Sequence, residues 1–152
     1  MPAYLFDSSA IAKRYCPEVG SDRVEAILND AENLSVISRL TLVELHSVFS
    51  MKVRRQEISA ADFGLLRKRL LADGKQRIFR VAAVTSMTYR RAVRLLMDHA
   101  LTDSLRTLDS LQLAMALELR DRGRLDHFVT ADQNLAKTSQ KVGLSVVNPE
   151  IV

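Results

Sequence analysis

The stretch AYLFDSSA, residues 3–10, opens the chain with an apolar run that ends on a carboxylate and two hydroxyls. Residues 3–6 are predicted to form a short buried strand, because the run is too short and too rich in β-forming residues for a helix. A helical pattern follows over roughly residues 8–16. Asp7 therefore stands between a strand and a helix, where it either caps the helix or contributes charge to a site.

The same alternation of strand and helix continues along the whole chain. Short β-rich runs predict further strands at residues 34–38, 78–84, 127–131 and 144–148. Apolar residues at helical spacing predict helices at residues 21–31, 41–55, 59–73, 86–100, 107–122 and about 133–141. Strands that alternate with crossover helices predict an α/β fold, with a central, mostly parallel sheet of four to five short strands flanked by helices.

Composition places limits on the protein class. The chain has 152 residues with 47% hydrophobic and 26% charged residues, which is ordinary for one soluble domain spanning residues 1–152. No apolar run approaches the roughly 20 residues needed to span a bilayer, and the N-terminus shows no secretion signal. The single cysteine, Cys16, cannot form an internal disulfide. We therefore expect a cytoplasmic protein without a membrane contact.

Three further carboxylates occupy positions that match that of Asp7. Glu44 and Asp109 each fall in the first turn of a predicted helix, and Asp132 directly follows a predicted strand. Because the carboxyl ends of parallel strands meet at one edge of a sheet, we expect these acids to share a cleft.

Each acid also has a structural alternative, in which it only stabilises the start of a helix. Thr41 and Glu44 match a capping box. Asp109 suits the helix dipole two residues after a Thr107 cap. The other two acids of the set fit as simple helix caps, so no single position decides the question.

Taken together, four acids in one cleft favour a metal site. Two carboxylates about 4 Å apart repel by roughly 4 kcal/mol at an effective dielectric near 20, and a divalent cation offsets this repulsion. Magnesium and manganese prefer a few carboxylates plus waters. Such an ion lowers the pKa of a bound water for attack on phosphorus. We therefore expect the four carboxylates to contact one or two Mg²⁺ or Mn²⁺ ions, directly or through waters.

Four blocks of sequence, in order, resemble the PIN-domain nucleases, most closely the VapC-like toxins of type II toxin–antitoxin pairs. The blocks are YLFDSSAIAKRYCPE (4–18), ISRLTLVELHSVF (37–49), LRTLDSLQLAMAL (105–117) and FVTADQNLAKTSQKVGLSVVNP (128–149). The resemblance covers nearly the whole chain and implies a single PIN-like nuclease domain. Ser110 and Gln112 depart from the residues frequent in such proteins, which bears on fine specificity.

The resemblance also implies an activity and a set of site residues. It implies a metal-dependent endoribonuclease that uses Mg²⁺ or Mn²⁺, acts as a toxin, dimerises, and is blocked by a cognate antitoxin protein. The implied catalytic and metal-binding acids are Asp7, Glu44, Asp109 and Asp132. The hydroxyls that accompany them, and orient a carboxylate or a metal-bound water, match Ser8, Ser9 and Thr130.

The basic residues are concentrated in the middle of the chain. Between Lys52 and Arg94 there are 12 basic residues and three acids, whereas the rest of the chain carries an excess of acids. These side chains are either solvated outer faces of helices or contacts for RNA phosphates. The candidates for RNA contact are Arg54, Arg55, Arg67, Lys68 and Arg69. Under the resemblance, the helices at residues 41–73 also form the groove for an amphipathic antitoxin segment.

Other functions fit parts of the sequence. A phosphatase that uses Asp7 as its nucleophile needs a second acid two residues on, where Ser9 stands. A catalytically inactive PIN-like module would use the acids as caps and the basic face to bind RNA or a partner. A nuclease directed at DNA also remains open, since acids alone do not distinguish ribose from deoxyribose. Asp126 is either a fifth ligand or a solvated turn residue.

Overall fold

In the computed structural model, residues 1–151 are described, and they contain five strands and seven α-helices. The strands are β1 (Ala3–Phe6), β2 (Leu34–Ser38), β3 (Arg80–Ala82), β4 (His127–Val129) and β5 (Val146–Val147). The helices are α1 (Ser8–Ile11), α2 (Ser21–Asn29), α3 (Arg39–Arg54), α4 (Ala60–Lys75), α5 (Ser86–Asp103), α6 (Thr107–Asp121) and α7 (Gln133–Lys141). A 3-10 turn, Ala12–Arg14, continues α1.

The strands form one sheet in the order β3-β2-β1-β4-β5, and every neighbouring pair is parallel. In this sheet β1 is central, and Phe6 lies opposite Ile37 of β2 on one side and Val129 of β4 on the other. The chain builds outward from β1 in one direction and then in the other. Such a reversal opens a crevice at the carboxyl ends of the central strands. The predicted α/β class with a parallel sheet is confirmed, with five strands.

The sheet carries an apolar layer on each face, because successive side chains of a strand point to opposite sides. The strand residues that pack with α5, α6 and α7 are Leu5, Val36 and Phe128. Those that pack with α1, α2, α3 and α4 are Phe6, Ile37 and Val129. The crevice therefore lies between two helical layers, with α1 and α3 on one side and α6 and α7 on the other.

Several element boundaries differ from the sequence prediction, and the differences have local causes. Helix α3 begins at Arg39 and not at residue 41, because Ser38 both ends β2 and caps the helix by accepting a hydrogen bond from the Thr41 amide at 3.1 Å. Strand β3 is shorter than the predicted 78–84, since it has β2 as its partner and the pairing ends where Ser38 meets Ala82.

A buried ion pair fixes α4 against the first layer. The Arg14 guanidinium donates to Asp73 through Nε at 2.8 Å and Nη2 at 3.0 Å, and the Tyr15 hydroxyl donates to the same carboxylate at 2.7 Å. Burial raises the pKa of Asp73, but the hydrogen bonds from Arg14 and Tyr15 outweigh it and hold that pKa below its usual range. Removing one partner of such a pair leaves a buried charge unmatched, so the fold requires both Arg14 and Asp73 together.

No helix within residues 1–151 has both the length and the apolar character that crossing a bilayer requires.

Candidate metal centre at the carboxyl edge of the sheet

All four predicted acids line one cavity of about 930 Å³ at the carboxyl edge of the sheet. Asp7 directly follows β1, and Asp132 lies three residues beyond the end of β4. Glu44 comes from α3 and Asp109 from α6, the helices on the two sides of the crevice. The structure therefore brings together side chains from four separate junctions, as expected for a parallel sheet.

Asp7 is buried, with 4% of its surface exposed, and it caps α1. Its Oδ1 accepts hydrogen bonds from the Ala10 amide at 3.0 Å and from Ser9 Oγ at 2.8 Å, and its Oδ2 accepts one from Thr130 Oγ1 at 2.8 Å. The donors around it are thus neutral. Burial raises the pKa of Asp7 to about 7, although these hydrogen bonds lower it, and the charge of Glu44 adds to the rise.

The hydroxyls of Ser9 and Thr130 join the two central junctions of the sheet. Ser9 Oγ accepts from the Ala131 amide at 2.9 Å, and Thr130 Oγ1 accepts from the Asp132 amide at 3.1 Å. Both hydroxyls donate to Asp7. The loop after β4 is therefore held against the start of α1, and this contact fixes the orientation of the Asp7 carboxylate.

Glu44 lies in the second turn of α3, and the expectation of a first-turn position is wrong. The Thr41 capping box is wrong for the same reason, because Ser38 is the cap. Glu44 instead accepts hydrogen bonds from Ser8 Oγ at 2.9 Å and from Gln112 Nε2 at 2.8 Å. The helix start needs no carboxylate at this position, so Glu44 is free to face the cavity.

Gln112 is a residue whose role the sequence did not reveal. Its side chain is buried, it donates to both Thr41 Oγ1 and Glu44 Oε1, and it accepts from Ser38 Oγ at 3.1 Å. It lies three residues after Asp109 and thus on the same side of α6. The three-residue spacing from Asp109 is the only signal in the sequence that places Gln112 near the site. Its hydrogen bond to Glu44 indicates that Gln112 positions this carboxylate.

Asp109 and Asp132 are held differently, by a cation. Arg106 donates from Nε to Asp109 Oδ2 at 3.2 Å and from Nη2 to Asp132 Oδ2 at 3.3 Å. Arg106 occupies the N-cap position of α6 without making a side-chain capping hydrogen bond, so the predicted Thr107 cap is wrong. Asp132 Oδ1 accepts from the Leu135 amide at 2.9 Å and caps α7. The alternative in which Asp132 only caps a helix therefore describes its Oδ1, whereas its Oδ2 contacts Arg106.

The donor set has the chemistry that a hard divalent cation requires, since it consists of carboxylate and hydroxyl oxygens. Across residues 1–151, however, no three His, Cys, Asp or Glu side chains are arranged to hold one ion directly. Each carboxylate of the set is bound by another donor, as described above. Magnesium keeps several waters and uses one or two carboxylates. The residues therefore fit such an ion if water completes its shell or if side chains rotate.

Comparison with known proteins agrees with this architecture. Residues 4–141 match the family model of the PIN domain. The chain belongs to the PIN domain family. The family membership expected from the four sequence blocks is thus confirmed. No curated protein matches the chain by sequence.

Solved structures with the same fold include three bacterial proteins. FitAcB from Neisseria gonorrhoeae has a TM-score of 0.67 and 19% identity, over 98% of this chain and 99% of that chain. VapC20 from Mycobacterium tuberculosis, described as a sarcin–ricin loop cleaving toxin, has a TM-score of 0.65 and 15% identity, over 97% and 98%. A toxin–antitoxin complex from Klebsiella pneumoniae has a TM-score of 0.59 and 20% identity, over 98% and 99%. At these identities the likeness establishes the fold alone.

The remaining wall of the cavity in this PIN domain is partly basic. Lys13, Lys52 and Arg55 line it. Lys13 is buried and pairs with Glu18 at 3.0 Å and with Glu150 at 2.6 Å. Nothing in the local sequence pattern predicts the contact with Glu150, because that residue lies 137 positions further along the chain.

The five predicted RNA-contacting residues are all exposed but are not equivalent. Arg55 lines the cavity. Arg69 pairs with Glu25 at 3.5 Å and lies over the Tyr15 ring at 5.7 Å, so its charge is partly engaged. The other three lie outside the cavity wall and are Arg54, Arg67 and Lys68.

Asp126 belongs to the opposite edge of the sheet. Its Oδ2 accepts from the Ala3 amide at 2.7 Å, and its own amide donates to the Ala3 carbonyl at 2.9 Å. Asp126 therefore fixes the amino end of β1, away from the cavity.

Proposed function

We propose that this PIN domain is a metal-dependent endoribonuclease and the toxin of a toxin–antitoxin pair. The convergence of Asp7, Glu44, Asp109 and Asp132 around one cavity carries the proposal. Membership of the PIN domain family and the likeness in fold to toxin structures support it. The proposed cofactor is Mg²⁺ or Mn²⁺.

The proposal assigns a role to each acid. Asp7 and Asp109 bind the ion directly, and Glu44 and Asp132 bind it directly or through water. When bound, the ion supplies a water of lowered pKa and stabilises negative charge on the phosphodiester. Asp7 is suited to this role because it is a buried carboxylate surrounded by neutral donors, and a nearby cation restores its ionised form.

Neighbouring groups hold the acids in place. Ser9 and Thr130 fix Asp7, and Ser8 and Gln112 fix Glu44. Such supporting hydrogen bonds typically change metal affinity or activity 10- to 100-fold when they are lost. Their abundance on the side of the cavity formed by α1 and α3 supports a site whose carboxylates are oriented before an ion arrives.

The cavity wall supports an RNA substrate. Lys52 and Arg55 line the same cavity as the acids, where they bind phosphates next to the scissile bond. The exposed basic residues of α3 and α4 extend this contact along the strand. Those residues are Arg54, Arg67, Lys68 and Arg69.

The antitoxin segment is proposed to bind a second cavity, of about 400 Å³, which α3 and α4 help to form. Tyr15, Leu65 and Leu66 give this cavity apolar walls that suit an amphipathic segment. Cys16 and Lys52 line both this cavity and the one with the acids. A segment bound here therefore lies beside the substrate entrance and excludes RNA.

We also propose a homodimer and a cytoplasmic location. Helix α5 carries exposed apolar side chains at four-residue intervals, which favours a contact with a second copy. They are Tyr89 (57% exposed), Val93 (57%), Met97 (76%) and Leu101 (98%). Cys16 is a free thiol, which is consistent with a reducing compartment.

A catalytically inactive module that binds RNA or a partner is the alternative. Asp7 and Asp132 do cap α1 and α7, and Arg106 pairs with two of the acids, so the acids have structural partners. This alternative predicts that no divalent cation gives cleavage.

Incubation of the purified protein with total RNA distinguishes the two functions. We expect cleavage that EDTA abolishes and that Mn²⁺ or Mg²⁺ restores. Asp7→Asn should retain the fold, because Asn also caps helices, and should lower the rate at least about a hundredfold. Asp22→Asn, at an exposed acid of α2, is the matched control and should keep the wild-type rate. Full activity of Asp7→Asn, or no cleavage with any metal, would contradict the nuclease.

A further inference from the structure

Arg106 occupies an unusual place for a basic residue. It stands at the start of α6, where small polar or acidic residues are preferred and where the helix dipole disfavours a cation. Its side chain makes no capping hydrogen bond and is 75% exposed. Local helix energetics therefore do not explain an arginine at this position.

The contacts of the guanidinium do explain it. Arg106 bridges two acids of the quartet, through Nε to Asp109 at 3.2 Å and through Nη2 to Asp132 at 3.3 Å. The hydrogen bond with Asp109, together with the charges of both acids, raises the pKa of Arg106. Each contact uses an Oδ2 atom, the oxygen of Asp132 that does not cap α7. One cation thus binds an oxygen from each of two carboxylates that line the cavity.

We propose that Arg106 is a resident counter-ion, which competes with the divalent cation for Asp109 and Asp132. This inference rests on the proposed metal centre. Because the side chain is largely exposed, it can leave the carboxylates without unpacking the core. The repulsion between Asp109 and Asp132 is therefore offset in the metal-free protein, and the stability of that state does not depend on an ion.

A displaced Arg106 gains a second role. It lines the same cavity as Lys52 and Arg55, on the α6 side, so its guanidinium remains at the substrate path. A guanidinium fork matches the oxygens of a phosphate and binds them through two hydrogen bonds. Arg106 thus exchanges two carboxylate partners for the phosphodiester of the RNA.

Calorimetric titration of the RNA-free protein with Mn²⁺ tests the first role. Removing two exposed ion pairs with Arg106→Gln should tighten Mn²⁺ binding about 3- to 20-fold. Arg106→Lys keeps the charge but cannot span both acids, and it should lie between wild type and Arg106→Gln. Arg124→Gln, at an exposed position three residues beyond the carboxyl end of α6, removes the same charge and should change Mn²⁺ affinity less than about twofold.

Single-turnover cleavage of RNA at saturating Mn²⁺ tests the second role. Arg106→Gln should be slower by about tenfold, the value of a hydrogen bond to a charged group. Tighter metal binding with slower cleavage separates this role from simple damage, because a distorted site would weaken both. A rate equal to or above wild type would overturn the phosphate contact.

The outcome for Asp109→Asn separates the inference from the function on which it rests. If wild type binds Mn²⁺ in a manner that Asp109→Asn abolishes, and Arg106→Gln binds with wild-type affinity, the counter-ion role is overturned and the metal centre stands. If neither wild type nor Arg106→Gln shows binding that depends on Asp109, both are overturned.

Discussion

The two sides of the cavity differ in the groups that contact their carboxylates. On the side of α1 and α3, Asp7 and Glu44 are held by hydroxyl, amide and backbone donors, all of them neutral. On the side of α6 and α7, Asp109 and Asp132 share Arg106. Asp7 is buried, whereas the side chains of Asp109 and Asp132 are 13% and 26% exposed.

The difference shows that orientation and charge compensation are separate tasks. Neutral donors fix the direction of a carboxylate but do not cancel its charge, so burial still raises the pKa of Asp7 to about 7. A guanidinium cancels charge at the surface but is easily displaced. On the side of α1 and α3, where all donors are uncharged, a divalent cation would therefore offset the most negative charge.

The largest difference between the two sides is expected in how pH changes the free energy of unfolding of the metal-free protein. Asp7 has a folded pKa of about 7 and an unfolded pKa near 3.8, so the folded state binds more protons between these values. The free energy of unfolding should therefore fall as pH rises from about 4 to about 8, by up to roughly 4 kcal/mol. Denaturant unfolding in EDTA at pH 5 and pH 8 measures this loss.

Asp7→Asn is the control for that titration, because it removes the ionisation and retains a capping side chain. Relative to wild type, we expect it to become more stable by about 3 kcal/mol between pH 5 and pH 8. A wild-type slope that survives in Asp7→Asn would place the pH dependence elsewhere.

A smaller effect, on metal affinity, is expected from the side-chain amide of Gln112, which holds Glu44. Gln112→Ala removes the donor to Glu44 Oε1 and should weaken Mn²⁺ binding about 10-fold or more. Gln140→Ala, an exposed glutamine of α7, is the matched control. Calorimetric titration measures both, and an unchanged affinity in Gln112→Ala would show that Glu44 needs no such support.

The smallest effect is expected from the cations of the cavity wall. Arg55→Gln removes one phosphate contact, so RNA affinity should fall about threefold and the salt slope should decrease by about 0.7 for a single strand. Arg67→Gln, an exposed charge outside the cavity, should have less effect. Filter binding of uncleaved RNA to Asp7→Asn protein carrying each change, across salt concentrations, provides the test. Equal slopes would mean that the two arginines are equivalent.

The sequence predicts the fold, and the placement of the four acids near junctions of strand and helix, because the signals are local. A β-rich run followed by an acid, as at Asp7 and Asp132, marks both a strand end and a helix start, and parallel pairing then brings such ends together. Helix starts are less certain where one residue has two roles. Ser38 ends β2 and caps α3, which moves Glu44 from the first turn to the second.

Other contacts that hold the acids join distant parts of the chain and could not be predicted. Gln112 reaches Glu44 across 68 positions of sequence, and Arg106 reaches Asp132 across 26. Neither of these two contacts joins residues at a spacing that secondary structure imposes. The role of Arg106 could not be predicted for a further reason. Acidic residues are preferred at the start of a helix, so a basic residue there gives no sign that it contacts the site.

The central position of β1 has a consequence for translation. Asp7 is made early, but its amide pairs with the Val129 carbonyl at 3.0 Å and its carboxylate with Thr130, both of which the ribosome adds much later. Until β4 emerges, β1 has an open flank and Asp132 has not yet been added to the chain. A nascent or prematurely terminated chain therefore lacks part of the cavity lining, and the cavity is complete only when synthesis is nearly finished.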